Sequence, residues 1–563
     1  MAAERGVSRT GRVLRGVIAA VVTVAWAACT GGAGAPAGPP PEALEPPAGT
    51  AGVVFWDVTQ VSGVTLARTP LDDYLSVPDR FTGGVCVLDA DGLGAPDLFF
   101  AMRDGRGARS TLYVADAPFA YRDETAKRGL AAIGEGSGCL AFDADGDGDD
   151  DLVVTRLGGI SLFEQRGGRF VDVSGRLGFA AHPGDLFTSA AAGDVDGDGD
   201  LDLVVGGYVR FDPSLVAPGE NCAPSVCNAQ PHPFPAISSR LFINNGDTFR
   251  DATSELAPAL AMAYRTTVVA VRDLNDDGRP DIYAAHDLQD WNQALIQGAD
   301  GHFVDDAVAL GMAHDRLGNG LDAMGFSTGD VDGDGRLDHV LTGFTNDATA
   351  VFVCQADGTC PDRADQVGTT ALEKTFRWGA ALADFDLDGS VDLAEATGHV
   401  FSQDELDAFA QGAQAQPTNL MLNDGAGHLV AHVPVAADGL AVRRLARGIA
   451  VVDLDDDGRP DLVLAPSSGR PALLRNVAPP RGGWLRVTLP RDSVGARVRV
   501  SLPDGRVLIR ERTAGEGYLG NFDPRLSFGL GAATTVSVSV TWPDGSTSKK
   551  EAVQADSELS LAP

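Results

Sequence analysis

Short apolar runs recur along the chain in pairs, and each pair is split by an acidic stretch of ten residues. GGVCVL, GCLAF, TSAAAG, TVVAV, GFSTG, WGAALA and RGIAVV stand before the acidic stretches; LFFA, LVVT, LVVGGY, IYAAH, VLTGF, LAEAT and LVLAP follow them. Runs this short, bounded by Gly, Asn and Asp, predict strands flanking a turn. Later phrases such as LYVAD, LFEQ, LFINNGDTF, ALIQGADGHF and LMLNDGAGHL, with FVDVS, FRDAT and YRDET after several of them, predict two further strands per unit. Almost no stretch is long enough for an amphipathic helix. About four antiparallel strands in a repeat of roughly 50 residues describe one propeller blade.

The acidic stretches number seven: DADGLGAPDL from Asp89, DADGDGDDDL from Asp143, DVDGDGDLDL from Asp194, DLNDDGRPDI from Asp273, DVDGDGRLDH from Asp330, DFDLDGSVDL from Asp384 and DLDDDGRPDL from Asp453. Seven copies predict seven blades. The seventh copy ends early, at Asn476, with no FxDVT phrase after it, whereas FWDVTQVSGV (Phe55 to Val64) stands alone before the first acidic stretch. A closed ring has to hide the edges of its first and last blades. The N-terminal strand is therefore expected to complete the last blade.

Within each acidic loop, carboxylates or amides at positions one, three, five and nine converge on one point, and a backbone carbonyl near position seven adds a ligand. Hard oxygen donors in that number suit calcium, and Gly at position six permits the sharp turn. The candidate ligand sets are Asp143, Asp145, Asp147 and Asp151; Asp194, Asp196, Asp198 and Asp202; Asp273, Asn275, Asp277 and Asp281; Asp330, Asp332, Asp334 and Asp338; Asp384, Asp386, Asp388 and Asp392; and Asp453, Asp455, Asp457 and Asp461. The first loop carries Leu93 at position five, so Asp89, Asp91 and Asp97 are expected to bind calcium poorly or to serve only as a turn. A simple Asp/Gly turn does not require Asp at all four positions together.

Charge sharpens this picture. The chain has a formal net charge of −34, and much of the acidic excess lies in these loops. No basic patch points to nucleic acid. At the N-terminus, Arg5, Arg9, Arg12 and Arg15 precede GVIAAVVTVAWAA, a run with the design of an export signal covering residues 1–28. WAAC makes Cys29 a candidate lipidation site; Ala25-Trp26-Ala27 also fits ordinary signal cleavage. Residues 29–52 read as a Pro/Gly-rich tether. No second hydrophobic segment follows, so membrane attachment, if any, is by lipid. Without Cys29, six of the seven cysteines remain, an even number suited to an oxidising compartment. Cys222 with Cys227 and Cys354 with Cys360 would close short loops. Cys86 and Cys139 either bridge adjacent blades or remain free core thiols.

The phrases GYVRFDP from Gly207, WGAALADFDLDGSVDLAEATGHVF from Trp378 and RGIAVVDLDDDGRPDLVL from Arg447 resemble the FG-GAP/VCBS propellers. With GGWLRVTLP, VGARVRV, GYLGNFDPRLSFGLG and VSVTWPDGS after them, the chain is more similar still to bacterial relatives of the cartilage acidic protein family, which join such a propeller to a C-terminal ASPIC/UnbV domain. The resemblance implies an exported calcium-binding module with no known chemistry of its own. It departs from the family at Leu93 and in a shortened cysteine insertion, ENCAPSVCNAQPHPFP.

The fold expected is all-β: a seven-bladed propeller with calcium-binding turns over residues 53–480, then a small β-sandwich or barrel over residues 481–563. WLRVTL, ARVRVSL, RVLIRER and VSVSVTW, joined by PDG turns, predict five or six strands there, rich in Arg. The functional expectation is a cell-surface or periplasmic binding or adhesion module for a protein or glycan, lipid-anchored or released. The alternative is an enzyme or carrier for a small molecule in the propeller funnel, with His286, Asp287, Trp291, Arg377, Trp378 and His399 as polar groups. HExxH, GxSxG, P-loop and dinucleotide fingerprints are absent from the sequence.

Overall fold

A computed structural model describes residues 44–46, 52, 54–68, 76–103, 109–215, 233–344, 347–372, 374–401, 403, 406 and 412–563. The export signal, Cys29, most of the tether and the Cys222–Cys227 pair lie outside the described residues. The described residues belong to one compact unit.

Seven sheets succeed one another along the chain, each beginning with a strand that leads into an acidic loop: Gly84–Leu88, Gly138–Phe142, Asp185–Gly193, Thr266–Arg272, Phe326–Gly329, Arg377–Ala383 and Leu445–Val452. Within each sheet the strands pair antiparallel with their sequence neighbours, as short turns dictate. The first strands line the ring axis. They are buried almost throughout and rich in Gly and Ala (Ala190, Ala191, Ala192, Ala380, Ala381), which lets seven strands converge. Helices among the described residues have at most four residues.

The ring closes as the isolated FWD phrase predicts. Phe55–Asp57 pairs with Ala472–Asn476 in register Phe55↔Asn476, making the fourth strand of the last blade. Asp438 fastens the clasp, its Oδ2 accepting from Val54 N at 2.7 Å. On the other side, Gly448 N donates to Gly83 O at 3.0 Å, tying the last blade to the first. Blade five departs from the four-strand expectation: its sheet has three strands, and the Cys354–Cys360 disulfide and a short helix, Ala364–Val367, follow where an outer strand would lie. Cys86 and Cys139 are bonded, linking the first strands of blades one and two.

The C-terminal residues form two sheets, one of three and one of four strands, around Leu485, Val498, Phe528, Val538 and Trp542. This is a sandwich of seven strands rather than five or six. The strands missed are the exposed Thr547–Gln554 and Ser557–Ser560, the latter pairing parallel with Gly483–Thr488.

Candidate metal centres on the loop face

Each acidic loop is built on two carboxylates that the backbone holds in place. The position-one Asp accepts, through Oδ2, the amide of the position-six Gly at 2.7–3.1 Å in all seven loops. Every one of those glycines has positive φ, which is why the position takes Gly. Position four is left-handed as well; it is Gly in loops one, two, three and five, and Asp276, Leu387 and Asp456 adopt φ near +60° there in the others.

The position-nine Asp opens the second strand and accepts two amides at 2.7–2.9 Å. One comes from loop position two and one from the third strand: Val195 and Asn244 for Asp202, Leu454 and Asn476 for Asp461. Position-five carboxylates accept the amide of position seven at 2.8–3.0 Å.

Positions one, three and nine come together. Oxygens of Asp143, Asp145 and Asp151 lie within 4.8 Å of one another, as do those of Asp194, Asp196 and Asp202, of Asp330, Asp332 and Asp338, and of Asp384, Asp386 and Asp392. The first loop forms the same triad from Asp89, Asp91 and Asp97, despite Leu93, which is exposed. Asp147, Asp198, Asp334 and Asp388 stand outside these tight triads. In loop four, Asn275 Nδ2 donates to Asp277 at 3.0 Å. Loop seven carries Asp453, Asp455, Asp457 and Asp461 in the same order, with Arg475 on Asp455 at 2.8 Å and Arg459 Nε on Asp457 at 3.0 Å.

The donor set fits a hard divalent cation. Burial pushes the carboxyls of Asp97, Asp151, Asp202 and Asp338 up to about 8, with the like charges of positions one and three adding to it. Asp384 is pushed up to about 7, again by burial first. Asp386 Oδ1 and Asp455 Oδ1 are buried without a hydrogen-bond donor, while Arg481 pairs with Asp386 Oδ2 at 3.1 Å. Such orphaned acceptors are costly unless something positive meets them. Asp/Asn oxygens in this number and geometry suit calcium, which would supply charge compensation and cross-link the loop, not reactivity.

Sequence reasoning missed two features. The first is an amide at the end of the third strand that grips the loop of the preceding blade. Asn244 Nδ2 donates to Ala144 O at 2.9 Å, Asn423 Nδ2 to Val331 O at 2.8 Å, and Asn476 Nδ2 to Phe385 O at 2.8 Å. Gln165 and Gln297 reach Asp89 O and Val195 O in the same way. The recurring Asn or Gln in LFINN, LMLND, LLRN, LFEQ and ALIQ was the available signal. Loops one, two, three, five and six are thereby braced by the next blade.

The second is a plug. Residues 513–523 leave the C-terminal sandwich and run into the ring axis, bridging Ala514 to Ala192, Gly517 to Phe326 and Asn521 to Cys86. Asn521 accepts from Ala141 N at 2.9 Å and donates to Val87 O at 3.0 Å. Tyr518 is buried at the far end, edge-on to Trp378 at 5.1 Å. Around this plug, arginines of the C-terminal region meet the acidic loops. Arg486 reaches Asp453 and, at 2.8 Å, Asp456; Arg497 donates to Asp273 O at 2.9 Å and Arg499 to Gly335 O at 2.9 Å; Arg481 meets Asp388 at 3.1 Å. The Arg-rich strands thus dock on the acidic ring.

Of the polar groups proposed for a funnel site, Asp287, Trp378 and His399 lie around one buried aromatic cluster that also holds Tyr518, and they are tied into the structure. His286 and His399 are buried, and burial lowers both to about 3, so they are neutral. Asp287, buried and pushed up to about 7, accepts from Tyr208. Arg377 donates to the Leu372 carbonyl at 2.8 Å, and Trp378 Nε1 to Gly398 O at 2.8 Å. Trp291 is apart from them on the surface, 51% exposed. The channel that a small molecule would need is filled by the chain's own plug.

Comparison with known proteins agrees with this architecture. Residues 143–205 and 273–341 match the FG-GAP-like repeat, and residues 487–563 match ASPIC and UnbV. The chain carries FG-GAP-like repeats and an ASPIC/UnbV domain. It is weakly homologous to cartilage acidic protein 1: 24% identical to that of Xenopus tropicalis over 517 residues, spanning 84% of this chain and 72% of the relative. The Homo sapiens protein is 25% identical over 508 residues, spanning 84% and 70%. The family resemblance read from the repeats therefore holds. Among solved structures, an Agrocybe aegerita lectin described for recognition of non-reducing terminal N-acetylglucosamine shares 16% identity at a TM-score of 0.36, over 76% of this chain and 94% of that one. A likeness this low carries no argument. No helix among the described residues is long and apolar enough to cross a membrane.

Proposed function

We propose that the chain is an exported, calcium-stabilised binding module that works outside the cytoplasm and recognises a protein or glycan through its surface loops. The observation that carries this reading is the repeated carboxylate triad, its position-nine Asp buried, oriented by backbone amides and, in five of the loops, braced by the next blade. Such loops stiffen a ring; they leave no free reactive group. Calcium that binds only the folded ring stabilises it by mass action. The FG-GAP-like repeats and the relationship to cartilage acidic protein 1 support an extracellular setting. Lipid attachment at Cys29 would hold the module on the cell envelope.

The docking of the C-terminal domain on the loop face leaves the blade rims and the opposite face for partners. The plug occupies the funnel that the enzyme alternative would use. The test is a pulldown from envelope and extracellular fractions with the full chain as bait, in calcium and in chelator. The reading expects captured components that are lost in chelator; no calcium-dependent capture contradicts it.

A further inference from the structure

Blades four and five carry an open site at their rim that the loops and the plug do not use. The segment leading to it is strained: Leu288 and Gln289 both hold φ of +61°, a left-handed conformation unfavourable for a non-glycine residue. Gly320 allows this, since a Cβ there would lie 1.9 Å from Gln289 O. What the strained turn achieves is the presentation of Trp291. Its neighbour Asn292 is buried, with its amide on Ala313 O at 2.9 Å, while the indole itself stands 51% exposed. With Leu317, 71% exposed, on the adjoining cleft, it makes two large apolar side chains open to solvent in one place.

The indole meets His314 edge-on at 5.3 Å, and His314 lines a cleft of about 380 Å3. That volume falls within the range of small-molecule sites, about 300–1,000 Å3. His314 Nδ1 donates to the Asp315 carbonyl at 2.8 Å, which fixes the ring against the cleft wall. The far wall carries Arg363, Asp365 and Gln366, whose side chains make no hydrogen bond or ion pair among the described residues. A second cleft of about 560 Å3 shares Arg363 and Gln366, so the surface continues toward blade six.

The chemistry selects the ligand. Leu317 and Pro361 are the only apolar side chains lining the first cleft, too few for a lipid or an apolar peptide anchor. Arg316 and Arg363 face Asp315, Asp362 and Asp365, so neither an anion nor a cation is favoured. A neutral, polar ligand with one apolar face remains. A pyranose ring has that form: its C–H face packs on an indole, and its vicinal hydroxyls take paired hydrogen bonds from guanidinium, carboxamide and carboxylate groups.

We propose that the cleft between blades four and five, with Trp291 at its lip, binds a neutral oligosaccharide. The proposal rests on the binding-module reading and specifies its ligand and its place. Trp291 stacks on one sugar ring, and Arg363, Asp365 and Gln366 hold the hydroxyls of the next.

The test is calorimetric titration of the full chain, in calcium, with neutral tetrasaccharides of glucose, mannose, galactose and N-acetylglucosamine, with tryptophan fluorescence recorded in parallel. At least one should bind and shift the emission. Trp291→Ala should weaken that binding about tenfold or more, and Arg363→Ala should weaken it several-fold. Both sites are at the surface, so melting temperatures should match the unaltered chain. Binding that survives Trp291→Ala overturns this site while leaving the module reading intact. Failure of every neutral saccharide, alongside calcium-dependent capture of a protein partner, overturns the oligosaccharide proposal alone. Failure of both assays removes the two together.

Discussion

The bracing of five loops by the next blade makes a specific demand on Asn244. Its side chain is buried and makes three hydrogen bonds: Nδ2 to Ala144 O at 2.9 Å and to Leu201 O at 3.2 Å, and Oδ1 from Gly246 N at 3.1 Å. Asn244→Ala leaves two carbonyls without this donor, at about 1–3 kcal/mol for each buried group left unsatisfied. The Gly246 amide is exposed and recovers its bond from water. The expected cost is therefore about 2–6 kcal/mol, well above the roughly 0.5 kcal/mol of an ordinary surface substitution. Blades two and four use Gln for the same task, so Asn244→Gln should recover most of the loss. Urea unfolding of the full chain in saturating calcium, read by circular dichroism, measures both variants. A cost under about 0.5 kcal/mol for Asn244→Ala, or no recovery with Gln, would refute the reasoning.

Three other outcomes follow from the same structure. Asp196→Ala should remove one calcium from the total bound and lower the melting temperature, checked by native mass spectrometry and a thermal melt. Because burial raises Asp97, Asp151, Asp202 and Asp338 to about 8, the metal-free fold holds protons that the unfolded chain, with carboxyls near 4, releases. Its stability should therefore be greatest below about pH 4 for these groups and fall as pH rises toward 8; melts in chelator at pH 5 and pH 8 test this, and calcium should reverse the trend. Gly520→Val would place a Cβ 2.0 Å from Val85 O, so the plug should be displaced and the 513–523 segment become open to limited proteolysis, which the unaltered chain resists.

Much of the ring was legible because its determinants are local. Position one, three, five and nine ligands sit in one decapeptide, and the lone FWD strand advertises the gap it fills. The brace was harder to see, since a blade that makes it spends a single Asn or Gln, and its acceptor is a carbonyl in another blade. The plug was illegible for a related reason: TAGEGYLGNFD has no alternation, and Asn521 bonds residues some four hundred positions away. The sandwich strand Thr547–Gln554 escaped because it is exposed along nearly its whole length, leaving no apolar period to read. Blade five lost its fourth strand where Cys354 and Cys360 close a loop instead. The fate of Cys86 and Cys139 depended on two strands becoming neighbours, which spacing alone does not decide.

The central claim is that the acidic loops are calcium centres holding one ring together. The most direct test is a native mass spectrum of the full chain prepared in calcium, repeated after chelation with a matched thermal melt. The account predicts about one calcium for each of the six loops with a complete donor set, and a melting temperature that drops when they are removed. A chain that carries no calcium, or that melts at the same temperature in chelator, would contradict it.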